Sequence, residues 1–248
     1  MFGNCEAAAA VRGSRGKKLG VMQPYFLPYI GYFQLIAAVD VFVVYDNIKY
    51  TKKGWINRNR MLQNGSDIIF SLPLKKDSDF LTVVERSLSA DFSREKLLNQ
   101  FRGAYHKAPY FAETFALLQR IIGCNNDNLF RYVYNSLKEL CAHLEIKTEI
   151  LVSSDIAIDH GLKSQDKILA LCEALEANTY LNPAGGVELY CSEDFNAHNI
   201  ELCFLRSKPV EYLQFAPPFI SSLSIVDLLM FNARDAVRSF ITHNYEMI

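Results

Sequence analysis

The sequence predicts an α/β protein: a mostly parallel sheet with helices on both faces, opening with a βαβ unit and carrying a helical insertion around residues 93–145. Three observations carry the prediction. Leu19 to Gln23 is a short apolar run halted by Pro24. Ile30, Phe33, Leu35, Ile36 and Val39 then recur at roughly helical spacing. Val41 to Tyr45 is continuously β-branched or aromatic, the habit of a parallel strand covered on both faces.

Each element follows in order. Pro24 lacks an N–H and fixes φ, so it ends the first strand, whereas Pro28 suits a first helical turn, whose N–H groups have no intrahelical partner. Asp46 closes the second strand and opens a polar loop with Lys49, Tyr50, Asn57, Arg58 and Asn59. Ile68 to Leu74 and Leu81 to Arg86 read as strands, and Leu97, Leu98, Phe101 and Tyr105 recur at helix spacing. A long helix is expected from Asn128 to Leu144, with Asp127 as its N-cap and Leu129, Val133, Leu137, Leu140 and Leu144 as its apolar stripe. Ile150 to Val152 is a strand, and Ser164 caps a helix carrying Ile168, Leu169, Cys172 and Leu175. Strands at Thr179 to Leu181 and Glu201 to Leu205 keep the alternation going. Residues 1–17 are small, glycine-containing and basic toward their end, without a burying period, and read as a disordered extension ahead of one domain over 18–248.

Composition narrows the function. The 26 basic and 27 acidic residues of the 248 leave a net charge of −1, so no global field points to nucleic acid. No apolar stretch approaches the roughly 20 residues of a membrane span, and residues 1–17 lack the apolar core of a signal peptide, so the default expectation is cytoplasmic. Cys5, Cys124, Cys141, Cys172, Cys191 and Cys203 form no C-x-x-C and have no histidine at metal spacing; free thiols are expected, with no metal site and no cofactor.

Ligands of parallel sheets sit beyond the carboxyl ends of the strands. The first strand delivers Gln23 to that edge and the second delivers Asp46, the candidate catalytic residue, although capping the following turn is its plainer role. Arg58 suits a carboxylate or phosphate, or a surface salt bridge. Gly185 and Gly186 offer backbone N–H groups to an anion, or a plain turn. Tyr212 and Gln214 line a pocket or the wet face of an alternating strand, while Asp227, three residues after Ser224, has the spacing of a capping box. Cys191 with Ser192 and His198 is the one nucleophile-and-base arrangement on offer, and a helix cap at Ser192 explains the same residues. His106, His143, His160 and His243 read as surface or packing residues.

The strings QPYFLPYIGYFQLI and DVFVVYDNIKYTKKGWINRNRML, at the opening of the domain, resemble the signature of the WbqC-like protein family. Residues 180–190 (YLNPAGGVELY), Phe195, Tyr212, Gln214, Phe219 and residues 223–232 (LSIVDLLMFN) are similar to its later blocks in the same order, so the resemblance covers roughly residues 18–240. One departure is the loop Asn182 to Gly186, where the family carries a Ser-Gly pair. The resemblance implies a protein of O-antigen or other surface-polysaccharide assembly that transfers glycine or another acyl group to an amino sugar. Its partners would be a nucleotide-sugar and an acyl-thioester or carrier-protein donor. On that reading Asp46 orients or deprotonates the amine, Asn57, Arg58 and Asn59 hold an anionic part, and Tyr29, Tyr32, Lys49 and Tyr190 join the substrate contacts. Two alternatives stand beside it. Tyr29-Ile30-Gly31-Tyr32 occupies the place of H-x-G-H in the HIGH nucleotidyltransferase superfamily, with Gly31 allowing close backbone approach, yet tyrosine, of pKa about 10, is a poor acid-base substitute. A non-catalytic nucleotide-sugar-binding or scaffold protein also suits 17 Phe and 13 Tyr.

Overall fold

The computed structural model describes residues 16–248, so most of the expected N-terminal extension lies outside the described residues. Lys17, placed in that extension, already belongs to the fold: its carbonyl accepts from the N–H groups of Asn178 and Thr179 at 3.1 and 3.3 Å.

The domain opens with strand β1 (Lys18–Met22), helix α1 (Ile30–Ala37) and strand β2 (Val41–Val44). A hairpin of β3 (Arg58–Gln63) and β4 (Ser66–Ser71) comes next, and then the helical insertion, α2 (Arg94–Tyr105), α3 (Phe111–Ile122) and α4 (Leu129–His143). The sheet resumes with β5 (Glu149–Val152), α5 (Ser164–Ala174), β6 (Thr179–Pro183), α6 (Ser192–Ala197) and β7 (Glu201–Ser207). Helices α7 (Ile225–Phe231) and α8 (Arg234–His243) and strand β8 (Tyr245–Met247) finish it. Six strands form the main sheet in the order β5-β2-β1-β6-β7-β8; all neighbours are parallel except β8, which is antiparallel to β7.

Strand periodicity sorts the continuously apolar β2 between two cores. Phe42 and Val44 point into a large cluster with α1, α2, α3, α4, α7 and α8. Val41 and Val43 point the other way, joining Leu19 and Val21 of β1 to Ile168, Leu171 and Cys172 of α5 and Phe195 of α6. Helices therefore cover both faces. Gln34, fully buried in α1, ties that helix to α8 by donating from Nε2 to the carbonyls of Phe240 and Asn244 at 3.1 and 3.0 Å.

Four local expectations change. Arg58 to Gln63, expected as polar loop, is a strand, because Asn64 and Gly65 adopt positive φ (51° and 75°) and turn the chain into a hairpin. Residues 81–86 are not a strand but turns around an isolated bridge between Lys49 and Thr82. Asn128 rather than Asp127 caps α4, its Oδ1 accepting from the Arg131 N–H at 3.0 Å. Ser164 is the first residue of α5 with φ of 48°, and Lys163 precedes it as the cap position without a side-chain bond.

Candidate functional site

β1 sits between β2 and β6, so the chain runs outward from it in both directions, which makes its carboxyl end the switch point where open parallel sheets leave a crevice. Two hollows lie near this edge, one on the α5 side and one beside α1.

The first is a cavity of about 490 Å³ lined by Tyr45, Asn47, Lys49, His160, Lys167 and Tyr190 among others. Lys167, on the first turn of α5, is only 5% exposed. Its Nζ donates to Asn47 Oδ1 at 3.0 Å and stands 5.1 Å from the centre of the Tyr45 ring. Asn47 Oδ1 also accepts from the Ser153 hydroxyl at 3.2 Å, so Asn47 Nδ2 is the donor to His160 Nδ1 at 2.9 Å. That leaves the His160 proton on Nε2, 3.1 Å from the Ile156 carbonyl, and fixes a neutral tautomer. Burial lowers the Lys167 pKa, and the charge of Asp46 partly restores it.

Asp46 ends β2 as expected but is 2% exposed, and its Oδ1 accepts from the Ser154 N–H at 3.0 Å. Asp46 is not among the residues lining the cavity, and its charge reaches Lys167 through space.

The second hollow is an aromatic cleft of about 330 Å³ bounded by Tyr25, Tyr29, Trp55, Asn59, Arg60 and Ser222. It meets, at Tyr29 and Ser222, a larger hollow reaching Tyr212 and Phe219. Arg60 is held by Asp67 at 3.0 Å and by the Ser222 carbonyl at 3.0 Å. Beneath this region lies Asp227, expected as part of a capping box. Ser224 alone caps α7, accepting from the Val226 N–H at 3.3 Å, while the Asp227 carboxylate turns inward. It accepts from Tyr105 at 2.8 Å, Tyr212 at 2.6 Å and Gln214 at 2.9 Å. Burial raises its pKa against the pull of these three bonds.

The sequence candidates thus divide. Asp46, Lys49 and Tyr190 gather around Lys167, whereas Tyr29, Asn59 and Tyr212 edge the aromatic region. Tyr32 is 2% exposed and donates to the Gln23 carbonyl at 2.9 Å, so it belongs to the core rather than to a pocket wall. A Cβ on Gly31 would fall within 3 Å of the Tyr29 ring, so this glycine makes room for a side chain of its own helix start. Asn57 bonds Tyr50 and the Leu72 carbonyl at 2.8 Å each, and Asn59 bonds the Leu27 carbonyl at 2.9 Å; both side chains tie the hairpin down. Arg58 donates to the carbonyls of Gly54 and Lys53 and lies over Trp55. Gly185 and Gly186 occupy a short 3₁₀ turn after β6, where a Cβ on Gly186 would strike the Asn182 amide.

Cys191 donates its thiol to Glu193 at 3.0 Å, which raises its pKa, and His198 pairs with Glu173 at 2.6 Å. A nucleophilic cysteine needs the opposite shift and a base beside it. Lys167, Asn47, Trp55 and Arg60 escaped the sequence reading. The signal for Lys167 was present: a lysine immediately ahead of Ile168, Leu169 and Cys172, at the start of an apolar stripe.

No helix among the described residues is long and apolar enough to cross a membrane. No solved structure matches the chain. The chain is 27% identical over 217 residues to the uncharacterised protein Rv1507c of Mycobacterium tuberculosis (strain ATCC 25618 / H37Rv), an alignment covering 86% of this chain and 93% of that one. The model of the WbqC-like protein family matches residues 23–239, from the end of β1 into α8. The chain belongs to the WbqC-like protein family.

Proposed function

We propose that the protein is a transferase of surface-glycan assembly that passes an acyl or aminoacyl group, such as glycine, from a thioester donor to the amine of a nucleotide-linked amino sugar. The observation that carries this reading is Lys167: a nearly sealed ammonium, held by Asn47 and the Tyr45 face, opening on a cavity near the carboxyl edge of the sheet. A buried cation of this kind draws the anionic part of a sugar nucleotide out of water at little reorganisation cost. Transfer is direct. The sugar nitrogen attacks the thioester carbonyl, the C–N bond forms as the C–S bond breaks, and the departing thiolate takes the proton the amine loses. Positioning supplies much of such a rate, so a direct transfer needs no protein nucleophile. Asp46 acts as a positioning residue, holding Lys167 in its charged form through space.

Incubation with a panel of nucleotide-linked amino sugars and acyl or aminoacyl thioesters, followed by mass spectrometry of the sugar, tests the proposal. A donor-sized mass gain is expected, falling tenfold or more in Lys167→Met while the thermal midpoint holds. Binding of the sugar nucleotide should weaken as pH rises through the lowered Lys167 pKa, earlier than an exposed lysine near 10.4 would allow. Full mass gain in Lys167→Met overturns the assignment of the site. Saturable binding without turnover on any donor favours a binding module instead.

A further inference from the structure

On the far side of the segment that follows β2 lies a cavity of about 410 Å³ that shares no lining residue with the Lys167 cavity or the aromatic cleft. Its walls carry Arg86, Lys52, Lys75 and Lys76 against a single acidic residue, Asp77. Arg86 is 4% exposed. A guanidinium is always charged and offers five N–H donors. Here only Nη2 finds a protein acceptor among the described residues, the Ser78 carbonyl at 2.8 Å, and Nε is buried without a partner. The Tyr50 ring lies under the group at 4.6 Å, its hydroxyl already given to Asn57. The nearby Asp79 feels the charge of Arg86 but is taken by Lys52 at 2.7 Å. Lys75 and Lys76 stand exposed at the rim.

A buried, unpaired guanidinium is costly to a fold, and its apolar isostere would spare that cost. Its retention in a cavity with two free-standing lysines has a chemical reason if an anion completes it. We infer that this cavity is a phosphoryl-binding site, in which Arg86 and the lysines at 75 and 76 hold the phosphate or diphosphate group of a phosphorylated small molecule. Planar guanidinium matches two oxygens of a phosphate at once, and the lysines add point charge from the open side. The site is independent of the role of Lys167.

Titration calorimetry with inorganic pyrophosphate on the full chain tests this. In the Lys167→Met chain, used so that the ammonium of the other cavity does not contribute, saturable binding is expected, weakened at least tenfold by adding Arg86→Met and several-fold by adding either Lys75→Met or Lys76→Met. The thermal midpoint of Arg86→Met without ligand should be equal or higher, because an unpaired charge has been removed. A nucleoside diphosphate and coenzyme A form two further arms, and the tighter one identifies whether the phosphoryl group arrives on the nucleotide or on the acyl carrier. Absence of pyrophosphate binding, or binding that survives Arg86→Met and the double variant Lys75→Met/Lys76→Met, overturns the inference. So does a lowered midpoint of Arg86→Met with unchanged binding, which would make Arg86 a brace for the Ser78 loop.

Discussion

The hydroxyl of Tyr105 does two jobs in the interior. It accepts from the Leu62 N–H at 2.9 Å and donates to Asp227 at 2.8 Å, with the ring fully buried. Tyr105→Phe keeps the ring and strands both partners, and leaving buried polar groups unsatisfied costs about 1–3 kcal/mol. The expected outcome is a thermal midpoint lowered by several degrees, on the scale of about 2–4 °C per kcal/mol for a chain of this size, followed by circular dichroism. An unchanged midpoint would mean that water replaces the hydroxyl. This network also marks how far single residues are readable. The spacing of Ser224 and Asp227 is visible in sequence and suggests a helix cap, but the carboxylate's partners lie 122 and 15 residues away at Tyr105 and Tyr212. Whether a strand-end aspartate faces a cavity or a backbone N–H is equally a matter of packing, and Asp46 went to Ser154.

At the level of elements, α1 shows a conflict between helix stability and the cleft it borders. Gly31 is the second residue of the helix, where alanine is favoured by at most about 1 kcal/mol. Its added methyl would meet the ring end of Tyr29, a flexible and 39% exposed side chain that can swing aside. Gly31→Ala should therefore fold with an equal or slightly higher midpoint while moving the Tyr29 ring, seen as a displaced tyrosine resonance by NMR; a drop of several degrees would show that the ring cannot yield. Elements announced themselves unevenly. β1, α1 and β2 were legible because each has an unbroken apolar period bounded by prolines or an aspartate. β3 was hidden because Arg58-Asn59-Arg60 reads as polar loop, although Asn64-Gly65 is the strongest short signal for a tight hairpin and stood beside it. Leu81 to Arg86 misled in the opposite sense: a run with β-branched Thr82, Val83 and Val84 reads as a strand, but its backbone N–H groups go to the carbonyls of Ser78, Ile48 and Asp46 and to turns within the run itself.

For the molecule as a whole, the helical insertion is not a separate body. Leu97 and Phe101 of α2, Leu117 and Leu118 of α3, and Val133 and Leu137 of α4 share one cluster with α1, α7 and α8 and with Phe42 and Val44 of β2. The opposite face of β2 builds the second cluster, so the sheet couples the two. Calorimetry should show a single unfolding transition whose calorimetric and van't Hoff enthalpies agree, and an early separate melting of residues 93–145 would refute that coupling. Alternation of strands and helices made the α/β class readable from local pattern alone, whereas the side of the sheet on which the insertion docks depends on contacts of long sequence separation. β8 has a quieter consequence. Its three residues, extended by mutual bonds between Phe204 and Ile248 at 3.1 and 2.9 Å, occupy the outer hydrogen-bonding row of the seven-residue β7. Where β8 lies, the row of N–H and C=O groups along that part of β7 is paired, and the edge offered to another copy there is a strand of three residues rather than seven, a shortening of the kind that blunts edge-to-edge pairing.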